Sequence, residues 1–536
     1  MSGREGGGPG SVLALACTGS FVVVMDATIV SVALPDIRTG LGFGPSGLAW
    51  VVNAYTLAFA GFLLLGGRLA DVFGQRRMFA VGMGVFTVAR LAAGLAATDG
   101  QLLAARAVQG LGGALLMPVT LSLVTTAFPE PAGRARALGT WSAVGAVGAS
   151  SGPVLGGLLT EWAGWRWVFF VTVPVGAAAV AAAVRVLPPR VLPARAPSAR
   201  APERGGRTRP RLDVTGAVTA TAGLVAVVHG VMRAPDTGWA GAPFLGSVGG
   251  GALLLVLFAV HQGRWAREPL VPLGLFRLRA VSGGNAVMFL LGLGFFASPV
   301  LLSLYLQDVH GYAPLDAGLA YLPVGAAMFA GATAASRVSL RLGPRRAAVA
   351  ACLLGAAGYG AMAALAGTDA SYAVSVMLPG AVFGLGTAAA FTPITVSATS
   401  GVPAHQNGLA AGVLNTVRQT SGAVGLAALS TLSAAVTTAA DGDASSDASS
   451  TGGTSMATAS RAALAEGYAA AFGASACLLG VAALVAWVAM PRERGPEAAT
   501  ERPFPRLTVA RRERRLVPGS RDSPRGSSRG GRRGGA

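Results

Sequence analysis

The chain contains no lysine, so all 42 of its basic residues are arginine. A phosphate-binding P-loop requires a lysine in the pattern G-x-x-x-x-G-K-[S/T], so ATP hydrolysis by that route is excluded. Charge is scarce as well: charged residues make up 12% of the chain, against about 25% in soluble proteins. Cys17, Cys352 and Cys477 are few, odd in number and set in apolar segments, a pattern that supports neither a disulfide framework nor a metal cluster. We expect no cofactor.

Apolar residues are abundant instead, at 52% of 536 residues with a mean hydropathy of +0.57. Apolar runs of about 20 residues are long enough to cross a membrane as helices, and such runs recur along the whole chain. The sequence therefore predicts an all-α polytopic membrane protein with fourteen transmembrane helices. Their approximate spans are 12–34, 48–70, 78–97, 101–126, 136–160, 167–187, 213–233, 241–261, 283–305, 317–338, 347–366, 372–398, 408–438 and 467–490.

The formal net charge of +19 is distributed as short clusters of arginine in alternate loops and in the tail. Arg76 and Arg77, Arg134 and Arg136, and the arginines of 190–211 all fall on one side of the predicted bundle. This asymmetry is typical of cytoplasmic loops, so we expect a multi-pass protein of the cell membrane with both termini in the cytoplasm. The arrangement does not favour nucleic acid as a partner, and the expected surroundings are the lipid bilayer.

An internal repeat indicates how the helices are grouped. Residues 336–346 echo residues 67–77, with Gly343 matching Gly74 and two arginines following each glycine. The loop after helix 2 thus recurs after helix 10, which predicts six helices, two inserted helices and six more, as in transporters built from repeats. The predicted parts are an N-terminal six-helix bundle 1–187, a cytoplasmic linker 188–212, two inserted helices 213–261, a C-terminal six-helix bundle 262–490 with a disordered external loop 439–460, and a disordered basic tail 491–536.

The loop between helices 2 and 3 carries the most specific motif. Its residues Gly67, Asp71, Gly74, Arg76 and Arg77 fit the pattern G-x-L-x-D-x-x-G-x-R-R, which resembles the corresponding loop of the major facilitator superfamily. The resemblance implies the major facilitator fold and a transport function. It also implies a cytoplasmic gate in which this loop packs against Arg134 or Arg136 and the end of helix 11.

Helix 1 places an acid, Asp26, at membrane depth. The segment from Asp26 to Pro35 resembles the D-x-T-I-V-N-V-A-L-P signature of the fourteen-helix drug:proton antiporters of that superfamily, with Ser31 in place of asparagine. Carboxylates at this depth usually face a cavity and belong to ion pathways, so we expect Asp26 to couple transport to protons. The alternative is an acid paired with an arginine for structural reasons only.

Helix 4 supplies a candidate partner for this acid. Arg106 and Gln109 lie three residues apart and share a helix face, in a stretch similar to the family's R-x-x-Q-G-x-G motif. The resemblance places Arg106 in proton coupling with Asp26, holding the carboxylate ionised until the conformation changes; its alternative role is to pin helix 4 to helix 1. Arg90 has no counterpart in the pattern, and we expect it to extend outward to the membrane surface.

Helix 5 contains closely spaced small residues, Gly148, Gly152, Pro153, Gly156 and Gly157. They are similar to the superfamily's G-x-x-x-G-P-x-x-G-G antiporter motif, which implies export rather than import. An ordinary helix-packing seam is the alternative.

Six polar or aromatic residues remain as candidates for substrate binding in a central cavity, with interhelical hydrogen bonding as the alternative role. They are Tyr55, Gln109, Asn285, Tyr305, Gln307 and Asn415.

Together these features predict a proton-coupled efflux antiporter that exports small amphipathic organic compounds, such as antibiotics, by alternating access. An exporter dedicated to one endogenous metabolite or siderophore is one alternative. A non-transporting membrane sensor with the same fold is another. A membrane enzyme is not expected, because no constellation of nucleophile, base or metal ligands is present.

Overall fold

A computed structural model describes residues 8–187, 213–237, 240–266, 269–271, 273–367, 371–402, 407–448 and 456–491. Within these residues fourteen helices are long and apolar enough to cross a membrane, which confirms the predicted fold class. We label the spans α1 Pro9–Leu41, α2 Trp50–Ala70, α3 Gln75–Gly94, α4 Asp99–Ala127, α5 Arg136–Ala163, α6 Trp167–Val186, α7 Val214–Ala234, α8 Ala242–Trp265, α9 Arg279–Val309, α10 Pro314–Leu342, α11 Pro344–Leu365, α12 Ala373–Thr399, α13 Ala410–Asp441 and α14 Arg461–Ala489.

One predicted loop is largely helical. The helix that contains α13 runs over Asn407–Ala448, and the helix that contains α14 begins at Met456. The described residues of the interval 439–460 therefore differ from the expected disordered loop, and alanine, the strongest helix former, is frequent there. The predicted linker 188–212 and the tail from residue 492 lie outside the described residues.

Two groups of six helices repeat the same packing scheme. In the first group α1 packs on α4 and α5, and α3 packs on α4 and α6. In the second group α9 packs on α12 and α13, and α11 packs on α12 and α14. Helix α9 thus corresponds to α1, and each later helix of the second group corresponds to the helix eight positions before it. The repeat of the loop motif predicts this correspondence.

The matching loops also share a backbone conformation. Gly74 joins α2 to α3 with φ 88° and ψ 145°, and Gly343 joins α10 to α11 with φ 78° and ψ 152°. This region is essentially restricted to glycine because a Cβ atom would clash with the backbone. The second loop therefore keeps the turn of the first although Leu340 stands where the first has Asp71.

The two inserted helices lie at the flank of the molecule. Helix α7 packs against both α2 and α13, one from each group. Thr431 of α13 donates a hydrogen bond to the Val231 carbonyl at 3.3 Å, and Trp50 contacts the His229 ring at 5.9 Å between centroids. Helix α8 packs on α7 and has little other contact, with 6% of its most apolar stretch buried. The inserted pair thus sits beside the boundary of the two groups, where Val228 and Met232 of α7 share a buried cluster with Leu57 of α2 and with Ala423 and Ala427 of α13.

The direct contacts of α1 and α5 with the second group lie toward one end of the molecule, which we call the Asp308 end; the opposite end is the Arg76 end. Arg38 of α1 and Asp308 of α9 form an ion pair at 3.2 Å, and Tyr468 of α14 donates to the other carboxylate oxygen of Asp308 at 3.0 Å. Gln307 donates to the Val32 carbonyl of α1 at 3.1 Å. These polar contacts join α1 to the second group at the Asp308 end, and α2 also packs on α13.

Candidate functional site

The middle of the first group contains a buried charge cluster. Asp26 of α1 is fully buried and accepts hydrogen bonds from two arginines, Arg90 of α3 and Arg106 of α4. Arg90 Nη1 donates to Asp26 Oδ1, and Arg106 Nη1 donates to Asp26 Oδ2 at 2.7 Å. Both guanidinium groups are buried as well, with exposed fractions of 0% and 1%. Three helices are therefore joined through one carboxylate.

The position of Arg90 depends on a break in α6. The span consists of Trp167–Phe170 and Val173–Val186, with an interruption between them, and Pro174 lacks the N–H that would continue the helical ladder. Backbone carbonyls left over at such a break need other donors. Arg90 supplies them: its Nε donates to the Phe169 carbonyl at 3.1 Å, and its Nη2 donates to the Val168 carbonyl at 2.5 Å.

Arg106 is held by a second set of acceptors. Its Nε donates to the Val51 carbonyl of α2 at 2.9 Å, and its Nη1 also donates to Gln109 Oε1 at 2.8 Å. The guanidinium carbon lies 4.7 Å from the centre of the Tyr55 ring, within the range of a cation–π interaction. The prediction that Arg106 and Gln109 share a face is confirmed, and Tyr55 joins them at the cluster.

The ionised cluster has an unusual charge balance. One carboxylate faces two guanidinium groups, so the three side chains carry a net charge of +1. Each guanidinium donates to a different oxygen of the carboxylate. Ala27, the next residue of α1, is exposed although it lies at the middle of the helix. Asp26 thus lies one residue from an exposed position of α1.

The expectation that Arg90 extends to the membrane surface is wrong, because its side chain turns inward to Asp26 and the α6 carbonyls. An arginine inside an apolar span is by itself a reason to expect a functional site. This signal could have identified Arg90 as a residue of the cluster. The length of the side chain concealed it, since an arginine one turn from a helix end is also able to reach the interface.

The glycines of α5 lie directly against the helix that carries Asp26. A Cβ atom at Gly148 would lie 3.0 Å from the Phe21 carbonyl oxygen, and one at Gly152 would lie 3.0 Å from the Ile29 backbone nitrogen. These positions flank Asp26 along α1. Gly157 faces the other way, where a Cβ atom would lie 2.8 Å from the Leu315 Cα of α10. The seam therefore connects α1 with the second group.

Comparison with known proteins decides the family. The profile described as Major Facilitator Superfamily matches residues 16–426. The chain belongs to the major facilitator superfamily. The transporter is 41% identical to the cephamycin export protein of Amycolatopsis lactamdurans over 79% of this chain and 84% of that protein. It is 37% identical to the puromycin resistance protein of Streptomyces alboniger over 91% of this chain and 92% of that protein.

A third relative agrees with this assignment, and two solved structures share the fold. The tetracenomycin C resistance and export protein of Streptomyces glaucescens is 34% identical over 80% of this chain and 76% of that protein. A bacterial homologue of the human lysosomal transporter Spinster superposes with a TM-score of 0.59 at 19% identity, covering 90% of this chain and 96% of the homologue. A D-xylose–proton symporter superposes with a TM-score of 0.60 at 12% identity, covering 90% of this chain and 98% of the symporter. The solved structures support the transporter fold alone.

The predicted gate residues occupy the Arg76 end. Arg76 Nη2 donates to the Val184 carbonyl of α6 at 2.5 Å, and Arg134 Nη2 donates to the Pro129 carbonyl at 2.6 Å. Arg77 and Arg136 are exposed. The Asp71 side chain lies outside the described part of the transporter, so its predicted pairing with Arg134 or Arg136 stays a prediction. Gly67 packs near Pro118 of α4.

The six predicted substrate contacts do not converge on one place. Tyr55 and Gln109 belong to the charge cluster, and Asn285 is buried with its amide donating to the Val281 carbonyl of its own helix at 2.8 Å. Tyr305 and Gln307 lie at the Asp308 end, where the Tyr305 hydroxyl is within 3.3 Å of the Gly367 backbone. Asn415 lies in α13 and accepts a hydrogen bond from Arg418 at 2.5 Å. The structure therefore places them in four separate environments.

Outside the cluster, His261 of α8 contacts an aspartate that precedes α7. His261 Nε2 lies 2.8 Å from Oδ1 of Asp213, which precedes α7, and Gln262 donates to the other carboxylate oxygen at 2.5 Å. Burial disfavours the ionised form of Asp213, but hydrogen bonds from Gln262, the Gly216 amide and His261 outweigh it and hold the pKa of this carboxyl below its usual range. His261 thus ties the start of α7 to the end of α8.

Proposed function

We propose that the transporter is a proton-coupled efflux antiporter that exports amphipathic organic compounds by alternating access in the cell membrane, with both termini in the cytoplasm. Export is supported by the relatives, whose names describe cephamycin export, puromycin resistance and tetracenomycin C resistance and export. Orientation is supported by the arginine-rich loops of the Arg76 end, which the positive-inside rule assigns to the cytoplasm.

The observation that carries proton coupling is the burial of Asp26. Among the described residues it is the one aspartate or glutamate that is completely buried. A carboxylate at membrane depth is costly, by about 2.5–3.5 kcal/mol on insertion scales, and such groups usually belong to ion pathways. Its neighbour Ala27 is exposed, so in this proposal a small rotation of α1 exposes Asp26 as well.

Protonation of Asp26 leaves both arginines with acceptors. Arg90 keeps the Val168 and Phe169 carbonyls, and Arg106 keeps Val51 and Gln109. The guanidinium groups therefore remain hydrogen-bonded when the carboxylate is neutral, which lowers the cost of losing the ion pairs. In this mechanism Asp26 takes a proton when α1 shifts away from the arginines and releases it when the cluster closes again.

Helix α1 connects this exchange to the movement of the two groups. It carries Asp26 at its middle and is bound to α9 at the Asp308 end through Arg38 and the Val32 carbonyl. Rocking of the bundles 1–187 and 262–490 pulls on α1, and the ionisation of Asp26 biases the position of α1 in return. The Asp71 loop acts as the cytoplasmic gate in the same scheme.

The test uses purified transporter in proteoliposomes with an imposed pH gradient and radiolabelled puromycin as the probe. We expect uptake to follow the gradient in the wild type and to fall at least tenfold in Asp26→Asn of equal abundance. Asp316→Asn removes an exposed acid of α10 and serves as the matched control, with transport unchanged. Gradient-driven transport at the wild-type rate in Asp26→Asn refutes the role of Asp26.

An exporter dedicated to one compound is the second candidate. It is favoured by the relatives at 34–41% identity, because each is named for a single antibiotic. Transport assays with puromycin, tetracenomycin C and a cephamycin distinguish the two. A broad exporter moves at least two of these compounds, whereas a dedicated exporter moves one of them or none.

A further inference from the structure

The first half of α13 borders a space inside the protein. Helices α2, α7, α9, α12 and α14 all pack against α13, so it is not a peripheral helix facing lipid on one side. From Asn415 to Thr420 every residue nevertheless retains partial exposure, whereas Ser421, Gly422 and Ala423 are buried. A helix surrounded by others is exposed along several of its faces only where the neighbours leave room. The space therefore lies beside α13 on the side of the Arg76 end.

Arg418 of α13 faces this part of the molecule with an incomplete set of partners. It lies about 12 Å along the helix from Ala410, at 1.5 Å per residue. Its Nη2 donates to Asn415 Oδ1 at 2.5 Å, and its Nε is buried without a hydrogen-bond partner. Among the described residues no carboxylate forms an ion pair with it, in contrast to Arg90 and Arg106.

An arginine with an unpaired N–H donor and no ion-pair partner among the described residues is able to bind an anion. A guanidinium carries five N–H donors in a planar fork that matches a carboxylate. Burial of part of a guanidinium without a counter-ion is unfavourable, and Asp26, the completely buried acid of the described residues, is already shared by two other arginines. The described core of the transporter is therefore short of negative charge, and a bound anion would correct this.

An apolar surface lies one helical turn beyond Arg418 along α13. Gly422 is one helical turn beyond Arg418, and a Cβ atom there would lie 2.9 Å from Phe296 Cβ of α9. Phe296 contacts Phe295 and Phe391 with ring centroids 5.0 Å and 6.3 Å away, and Phe295 and Phe391 are 4.9 Å apart. All three rings are partly exposed. A cation and an aromatic surface thus lie one helical turn apart along α13, a combination of charged and apolar groups that occurs in sites for amphipathic ligands.

We propose that Arg418, positioned by Asn415, binds the carboxylate of an amphipathic organic anion, whose apolar body rests on Phe295, Phe296 and Phe391. The proposal rests on the proposed export function and adds organic anions as one class of its amphipathic substrates. A neutral analogue of the same shape leaves Arg418 without a counter-charge and binds more weakly.

The test measures equilibrium binding of pyrenebutanoate and of its methyl ester to the full-length protein in phosphatidylcholine nanodiscs, with empty nanodiscs as the blank. The wild type is expected to bind the acid at least tenfold more tightly than the ester. Arg418→Gln is expected to weaken binding of the acid about 10- to 100-fold, the range for a charge-assisted hydrogen bond, and to leave the ester unchanged. Arg337→Gln removes an exposed arginine of α10 and serves as the control with wild-type binding of both probes.

Equal affinity of the wild type for acid and ester, no binding of either probe, or an unchanged preference in Arg418→Gln each overturns the proposal. If Arg418→Gln does not elute as folded protein, Arg418→Lys replaces it, with the acid at least threefold weaker and the ester unchanged because lysine lacks the planar fork. An unchanged affinity for the acid in that variant contradicts the proposal. The binding measurements require no proton gradient. Failure of the anion-binding proposal is therefore distinguishable from failure of the antiport proposal at Asp26.

Discussion

The two six-helix groups share one packing scheme but fill the same place in it with different chemistry. Arg90 is the sixteenth residue after Gly74, and Tyr359 is the sixteenth after Gly343. Arg90 of α3 reaches Asp26 on α1, whereas Tyr359 of α11 donates its hydroxyl to the Gly294 carbonyl of α9 at 2.9 Å. The first group thus joins these two helices through an ion pair, and the second joins the equivalent helices through one neutral hydrogen bond.

The fourth helix of each group differs in the same way. Gly112 of α4 packs against the α3 backbone at Phe86, and Gly386 of α12 packs against the α11 backbone at Gly355. Six residues before these glycines stand Arg106 in the first group and Gly380 in the second. The ring of Tyr359 instead meets Phe383, with centroids 4.2 Å apart.

The second group has aromatic side chains where the first has the charge cluster. This difference helps to distinguish a structural role of the cluster from its proposed role in transport. Because aromatic packing holds the second group together in the same helix arrangement, the fold does not require charges at this place. A buried ion cluster costs desolvation free energy that apolar packing avoids. The charges of the first group are therefore best explained by a function, which favours proton coupling at Asp26 over a purely structural ion pair.

The largest effect that distinguishes the two groups is expected from removal of the central acid. Asp26→Leu leaves two buried guanidinium groups without a counter-ion and is expected to lower the free energy of unfolding by about 3–5 kcal/mol. Tyr359→Phe removes one neutral hydrogen bond and is expected to cost about 0.5–1.5 kcal/mol. Reversible unfolding in mixed micelles measures both values, and equal losses would contradict the assigned difference between the groups.

Intermediate losses of unfolding free energy, equal in the two groups, are expected from substitution of glycines at equivalent helix contacts. Gly152 of α5 lies against α1, and Gly425 of α13 lies against Leu293 of the equivalent helix α9. Substitution of either glycine by alanine overpacks the helix pair, with an expected loss of about 1–3 kcal/mol. Gly84→Ala is the control, since a Cβ atom there meets nothing within 4 Å. A loss confined to Gly152→Ala would show that the α5 seam is special to the first group.

The smallest effects concern the arginine that follows the glycine turn in each group. Arg76 donates to the Val184 carbonyl of α6, and Arg345 lies 4.4 Å from the centre of the Trp487 ring of α14. Both side chains join the third helix of a group to its sixth at the Arg76 end. Alanine at either position is expected to cost about 0.5–1 kcal/mol. Thermal unfolding checks this, and a loss several times larger at one position would break the equivalence.

The fold was largely predictable because each membrane-spanning helix corresponds to one continuous apolar segment that is long enough to cross a membrane. The two glycine turns at Gly74 and Gly343 were enough to predict the repeat. Helical residues beyond the apolar run, as in the described parts of 439–460, were not predictable from hydropathy, since these residues are polar and their alanine content signals helix without signalling membrane.

The sequence was sufficient to predict Asp26 and Arg106 as site residues, but it was not sufficient to predict the roles of Arg90 and Arg418. Asp26 and Arg106 stood out by motif, but Arg90 did not, because sequence does not record which way a long side chain turns. Its acceptors at Val168 and Phe169 exist only through the break in α6. The incomplete partners of Arg418 were equally hidden, since they depend on which carboxylates three-dimensional packing brings within reach.

Proton movement driven by substrate tests the central claim most directly. Proteoliposomes containing the transporter and the pH-sensitive dye pyranine are given a puromycin gradient without any imposed pH difference. We predict that the lumenal pH changes in the wild type, with protons moving against the direction of puromycin, and that it stays constant in Asp26→Asn. Puromycin movement without a pH change in the wild type, or a full pH change in Asp26→Asn, would contradict the account.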